Sequence, residues 1–378
     1  MNRNSAVLIC CIATLLALGA VMGFSVIGAR ASSLPVGLKY LFKHLLWVSI
    51  GVAGLLALRR FDYHKLENWQ WPLAFAAVAL LILVRVPGIG TLKNGAWRWL
   101  RVGPVGFQPS EVAKIALLVT VSAMAARRGA KMGTLVGGLL PCMAVVGIAA
   151  GLILIEPDFG TAALIGGMGT CVVLAAGAPI LPIAAVCLAG ASGLAVLVMQ
   201  SPTRLARVFA YLDPWQHHDA AGYQVVHSLL SLGCGGFFGR GLGAGRQKLG
   251  YLPEADTDFI FAVIGEELGL IGALGVLFLF VLIVRQGLKI SAAARDSFGA
   301  LLAFGITCMI AMQALIHVAV VTASMPTKGI ALPFVSAGGS SMVISLAAAG
   351  ILLNVAAQGS EAPAPAVAPA TAEGRLYA

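Results

Sequence analysis

Charged side chains are scarce in this 378-residue chain: Asp, Glu, Lys and Arg together make up 11% of it, against roughly 25% in an ordinary soluble domain. With 59% hydrophobic residues, that shortage excludes a water-soluble fold. Regular alternation of apolar and polar residues is missing as well, which argues against a transmembrane barrel. The seven cysteines lack any CxxC spacing or neighbouring His pair, and most lie inside apolar stretches. They read as packing residues, and Cys234, in a hydrophilic loop, has no obvious disulfide partner.

What is present is apolar length. Windows near 6–29, 41–58, 72–87, 110–126, 134–155, 159–177, 179–199, 259–284, 299–321 and 339–357 predict an all-α, polytopic membrane fold of about ten spanning helices. The first window follows Met1-Asn2-Arg3, is long, and is soon followed by a second, so it reads as a retained anchor. Residues 1–358 form one membrane domain with a large outer loop at about 201–258. The Ala/Pro-rich stretch 359–378 cannot build a core and reads as a disordered tail.

Three basic clusters, Arg59-Arg60-Lys65, Arg127-Arg128-Lys131 and Arg285-Lys289-Arg295, fall on one side of the predicted bundle. The positive-inside rule makes that side cytoplasmic and puts both termini there. The opposite side is also rich in cations, among them Lys39, Lys43, Arg98, Arg101, Arg204, Arg207, Arg240, Arg246, Lys248 and Lys328. Phosphate or pyrophosphate would account for them, as would anionic lipid headgroups.

Four outer segments carry the polar chemistry. In 88–111, Trp97 and Trp99 suit a membrane interface and Pro109-Ser110-Glu111 suits a helix start. Lys114, one turn on and on the same face as Glu111, needs a partner or a cavity, since a cation at membrane depth costs about 2.5–3.5 kcal/mol. In Glu156-Pro157-Asp158-Phe159-Gly160-Thr161, Asp158 is placed to cap the next helix. The stretch 201–258 has enough aromatic and apolar residues for an interfacial or re-entrant helix, and ends with Glu254, Asp256 and Asp258 at the mouth of a long apolar helix. Capping requires one carboxylate; three point to a base or a metal site. Glu266 and Glu267, deeper in that helix, call for a polar surrounding. In 326–341, Lys328 is suited to a phosphate, and Gly338 and Gly339 to close backbone approach. Gln313 and His317 share a helix face and read as interhelical hydrogen-bonding residues.

Taken in order, Asn94-Gly95-Ala96 with Arg98-Trp99, Gln108-Pro109-Ser110-Glu111, Pro157-Asp158-Phe159-Gly160-Thr161, Lys248 to Phe261 and Pro326 to Ser341 resemble the SEDS family (shape, elongation, division and sporulation) over nearly the whole chain. The resemblance is strongest to the division branch, with elongation and sporulation branches open.

The resemblance implies a peptidoglycan glycosyltransferase of the bacterial inner membrane, with its active site outside the cytoplasm. It would join lipid II units by β1-4 bonds into a glycan chain and release undecaprenyl pyrophosphate. The family's essential aspartate falls on Asp258, with a base's role toward the acceptor hydroxyl. Arg98, Lys114, Arg204, Arg207, Arg246, Lys248 and Lys328 are candidates for the pyrophosphate, Glu111 and Lys114 for the family's buried polar cavity with Asp258, Ser336 for substrate binding, and Asp256 with Asp258 for a divalent cation, Mg or Mn. A class B penicillin-binding protein and other divisome or elongasome membrane proteins are the implied partners; nucleic acid is not. Three positions depart from the family pattern: Asp256 where it usually has His, Ala337 where it has Tyr, His317 where it has Asn. Asp256 bears on the chemistry, because a second carboxylate can raise the pKa of the base or help to hold a metal ion. Two rival readings share this hydrophobic pattern, a lipid II flippase and a scaffold that only recruits a transpeptidase.

Overall fold

A computed structural model of the chain describes residues 3–30, 34–93, 96–102 and 105–360. α1 (Arg3–Arg30) and α2 (Leu34–Arg60) are followed by a short α3 (Tyr63–Asn68) and by α4 (Gln70–Leu83). A small sheet, β1 (Gly90–Lys93), β2 (Ala96–Val102) and β3 (Val105–Phe107), leads into α5 (Pro109–Arg128), α6 (Leu140–Ile155), α7 (Phe159–Ala175) and α8 (Ile180–Met199). The long hydrophilic stretch holds α9 (Pro202–Leu212) and α10 (Tyr223–Gly235), and α11 (Ile260–Ala292), α12 (Ser297–Val321) and α13 (Gly339–Ser360) complete the bundle.

Among the described residues eight helices are long and apolar enough to cross a membrane, and α4 and α7 are shorter apolar helices of 14 and 17 residues. The latter span about 21 and 25 Å at 1.5 Å per residue. The protein is therefore an all-α, multi-pass membrane protein whose ten apolar helices coincide with the ten expected windows, two of them short of a full crossing. The expected tail falls, from residue 361 on, outside the described residues.

Packing centres on α5, whose residues from Pro109 to Ala125 are nearly all buried against α4, α7 and α12. At the other extreme, α8 buries only Ile183 and turns the rest of its apolar surface outward. Aspartates start three helices: Asp62 accepts from His64 N, Asp158 from Thr161 N and Asp296 from Gly299 N, each satisfying an amide that has no helical partner.

The two ends of the bundle are built differently. At one end Tyr63 donates to Asp296, Arg127 pairs with Glu67 at 2.8 Å, and Asn354 bridges Tyr63 N and Arg59 O. Direct side-chain contacts thus tie α3 to α5, α12 and α13. The opposite end carries the sheet, α9, α10 and the loops before α11 and α13.

The segment 88–111, read from the sequence as an outer loop, contains an antiparallel three-stranded sheet in the order β1-β2-β3, with Gly90 opposite Leu100 and Leu100 opposite Phe107. Strand periodicity puts Arg98 on the same face as the buried Ala96 and Leu100. A freely moving loop would not aim that guanidinium inward.

α11 is broken. Gly269 has φ 68, and the chain 236–241 fills the gap: Leu270 N donates to Gly236 O, Ile271 N to Phe237 O, Arg240 N to Glu266 O and Gly241 N to Glu267 O. Glycine is required at this crossing, because a Cβ on Gly269 would stand 2.3 Å from Gly239 N and one on Gly239 2.1 Å from Glu267 O.

Candidate active site

The site starts at the turn before α11. Glu254, in the left-handed region at φ 49, offers one carbonyl to the amides of Thr257, Asp258 and Phe259 at 3.2, 3.0 and 3.2 Å. Its carboxylate accepts from Thr257 Oγ1 at 3.0 Å. The cap position of α11 falls on Phe259, one residue beyond the acids, so Asp256 and Asp258 belong to the turn.

A second loop braces this turn. Ser336 Oγ donates to Thr257 O at 2.6 Å while accepting from Leu332 N, and Ala337 N donates to Asp256 O. Ser336, expected at the substrate, is 2% exposed and works as a bolt between the loops. His44 of α2, 7% exposed and with Nε2 lacking a hydrogen bond, lies within electrostatic reach of Asp256.

Asp258 is half-buried and faces Gly329: a Cβ there would lie 2.8 Å from Oδ2. Gly339, expected with Gly338 to let backbone approach a ligand, packs on α2, where a Cβ would meet the Trp47 ring. Next to Gly329, Lys328 packs beside Gly160 and holds its ammonium 5.4 Å from the Phe159 ring centre. Arg204 of α9 stands over the same ring at 4.1 Å. These are cation–π distances, and they bring α9, α7 and the 326–330 loop together beside Asp258.

Four cations converge here. Burial first, then repulsion by Arg207 and, more weakly, by Arg204 and Arg98, pulls the pKa of Lys328 below its ordinary 10.5, against the opposing pull of Asp158. Arg98 donates to the carbonyls of Glu156 and Pro157 at 3.0 and 2.5 Å, gripping the α6–α7 turn. Asp158, the cap of α7, also accepts from Thr161 Oγ1 and Gln108. Glu156 beside it is fully buried, with neither carboxylate oxygen hydrogen-bonded. Burial, and secondarily Asp158, pushes its pKa up to about 8.

Arg98, Arg204, Arg207 and Lys328 are thus gathered around Phe159 and the α6–α7 turn, with Lys328 one residue from the Gly329 that faces Asp258, and the remaining basic candidates and Glu111 lie elsewhere. Glu111 and Lys114 pair with each other at 2.6 Å inside α5. Lys248, 1% exposed, pairs with Glu267, and Arg246 gives its amide to Glu266 while remaining exposed. Among the described residues no three His, Cys, Asp or Glu side chains form a metal-holding group. Glu156 and Gly329 escaped the sequence reading: one resembled an ordinary turn acid, and the other had no signal beyond its place after Lys328.

A family model described as cell cycle protein, FtsW/RodA/SpoVE, matches residues 5–361. The chain is 42% identical over 338 residues to a probable peptidoglycan glycosyltransferase FtsW of Geobacter sp. (strain M18), covering 89% of this chain and 92% of that one. It is 40% identical over 315 residues to stage V sporulation protein E of Bacillus subtilis (strain 168), covering 83% and 86%. Among solved structures it is similar to a chain from work on a peptidoglycan synthase complex that coordinates polymerization and crosslinking (TM-score 0.76, 27% identity, 94% and 98% covered). It is also similar to the rod shape determining protein RodA of Thermus thermophilus (TM-score 0.68, 26% identity, 93% and 95% covered). The chain belongs to the FtsW/RodA/SpoVE family of cell cycle proteins, the SEDS family whose motifs its sequence carries.

Proposed function

We propose that this protein is a peptidoglycan glycosyltransferase that polymerises lipid II into β1-4 glycan strands and releases undecaprenyl pyrophosphate, in septal wall synthesis during division. The observation that carries the reading is Asp258 packed against Gly329 of a facing loop, whose neighbouring Lys328 joins the Arg98, Arg204 and Arg207 cluster. A base beside a cationic pocket suits attack on a sugar whose leaving group is a pyrophosphate.

In this reading Asp258 takes the proton of the acceptor's 4-hydroxyl as its oxygen attacks the anomeric carbon. The α-linked donor then gives a β bond by a single inversion, without a covalent enzyme intermediate. Arg98, Arg204, Arg207 and Lys328 stabilise the charge that develops on the departing pyrophosphate.

A divalent cation, Mg or Mn, fits only as a partly protein-held ion: Asp256 and Asp258 supply oxygen donors, and donor phosphates and water would complete the shell. When bound it would neutralise phosphate charge. The orientation follows the positive-inside rule, with both termini cytoplasmic in a bacterial inner membrane and the Asp258 end outside. The partner is a class B penicillin-binding protein, in keeping with the synthase complex to which the fold is similar.

The test supplies purified protein, alone and with a partner transpeptidase, with lipid II and a divalent cation. Glycan chains made by wild type and lost in Asp258→Asn support the reading. Movement of lipid II across liposomes without polymer would replace it with the flippase.

A further inference from the structure

Lys248 was expected among the phosphate-binding cations, but it is buried between α1 and α11. Its ammonium reaches Glu267 of α11, which is 0% exposed, and donates to Ser25 Oγ of α1 at 2.6 Å. Ser25 in turn donates to Glu267 at 2.8 Å, and Gly243 N donates to the other Glu267 oxygen at 2.9 Å. Glu266 accepts from Arg246 N and Gln247 N. Two adjacent carboxylates therefore hold the backbone of 243–247, and no side chain fits at Gly245, where a Cβ would lie 2.9 Å from Glu267 and 3.1 Å from Glu266.

From Lys248 the chain has little slack before the proposed base. Leu252 N donates to Gln247 O at 2.8 Å, Leu252 is fully buried, and Glu254 O gathers the amides of Thr257, Asp258 and Phe259. The stretch 247–259 is thus pinned at both ends to α11, and through Ser25 its first anchor also reaches α1.

We infer that the buried Ser25–Lys248–Glu267 cluster is a positioning device for Asp258, setting the register of the 248–258 segment and making it depend on α1. Its residues touch no substrate; they act through the backbone that ends at Asp258. The inference rests on the polymerase reading only for its kinetic arm.

The test compares Ser25→Ala, which removes one hydroxyl, with Lys248→Met, Glu267→Gln and the double variant, which leaves neither charge buried without its partner. Two readouts are taken on purified full-length protein: hydrogen exchange at the amides of residues 254–259, and lipid II polymerisation. Exchange is expected to rise about tenfold in each charge variant. Turnover is expected to fall about tenfold with KM for lipid II unchanged, both effects being non-additive in the double variant and weaker in Ser25→Ala. Unchanged exchange at 254–259 in Ser25→Ala and in the double variant overturns the inference. A raised KM in Lys248→Met with Glu267→Gln silent does so too, and assigns Lys248 to the phosphates. An inactive wild type would sink the polymerase reading alone, since the exchange experiment stands without turnover.

Discussion

Asp258 and Gly329 are packed so closely that a methyl group on Gly329 would lie 2.8 Å from Oδ2 and 3.4 Å from Cγ of the aspartate. Gly329→Ala therefore pushes the carboxylate aside without disturbing the bundle. Polymerisation should fall by about 10–100-fold, since small misplacements of a reacting group cost that much, while the melting temperature stays near wild type. Full activity in a folded Gly329→Ala protein would show that the carboxylate does not need its present position.

Asp258→Asn removes the basic oxygen while keeping size and shape. The loss should be at least about 10²-fold, the usual share of a general base. Asp256→His should keep activity, since the backbone carbonyl that accepts from Ala337 N is retained and an imidazole can still donate a lone pair to a cation. Polymerisation by both variants in parallel, with thermal unfolding as the folding control, separates the two acids. If Asp256→His is dead and Asp258→Asn active, the base is Asp256.

Lys328 should make the alkaline limb of the rate profile informative. Burial and the neighbouring arginines lower its pKa, so its positive charge is lost as pH rises through a value below the ordinary 10.5. The profile of kcat/KM should fall there, and Lys328→Arg should move that fall upward, because a guanidinium stays charged. An unchanged alkaline limb in Lys328→Arg removes Lys328 from donor binding.

Glu156 makes a stability prediction of the opposite form. Its folded pKa, about 8, lies above the ordinary 4.5, so the folded chain binds that proton more tightly than the unfolded one. The contribution to stability is complete below about pH 4.5 and is lost as pH rises toward 8. Glu156→Gln keeps a neutral side chain throughout and should flatten melting temperature against pH over this window, with the variant more heat-resistant than wild type at its upper end. Parallel curves for the two proteins would show that Glu156 is not the titrating group.

The helical architecture was legible because apolar length is local: each of the ten windows carries its own signal. The sheet at 90–107 was not, because Trp97-Arg98-Trp99 has the composition of a membrane interface and strand pairing depends on partners several residues away. The cap at Asp158 and the Glu111–Lys114 pair follow from spacing alone and were found. Lys248 was misplaced for the converse reason. Its sequence neighbours are polar and it sits in the hydrophilic stretch, but its partner is 19 residues away, on the outer piece of α11. Gly329 carries no charge and no pattern; its importance lies in a contact 71 residues distant, which no local window contains.

The break at Gly269 divides α11 into two bodies of different allegiance. The outer piece, residues 260–268, is about 13 Å long and is hydrogen-bonded through Glu266 and Glu267 to the chain at 240–247, whereas the longer remainder runs on through the bundle. The proposed base therefore stands at the head of a short stub, buried from Ile260 to Glu267, that is held by the surface loop as much as by the rod behind it.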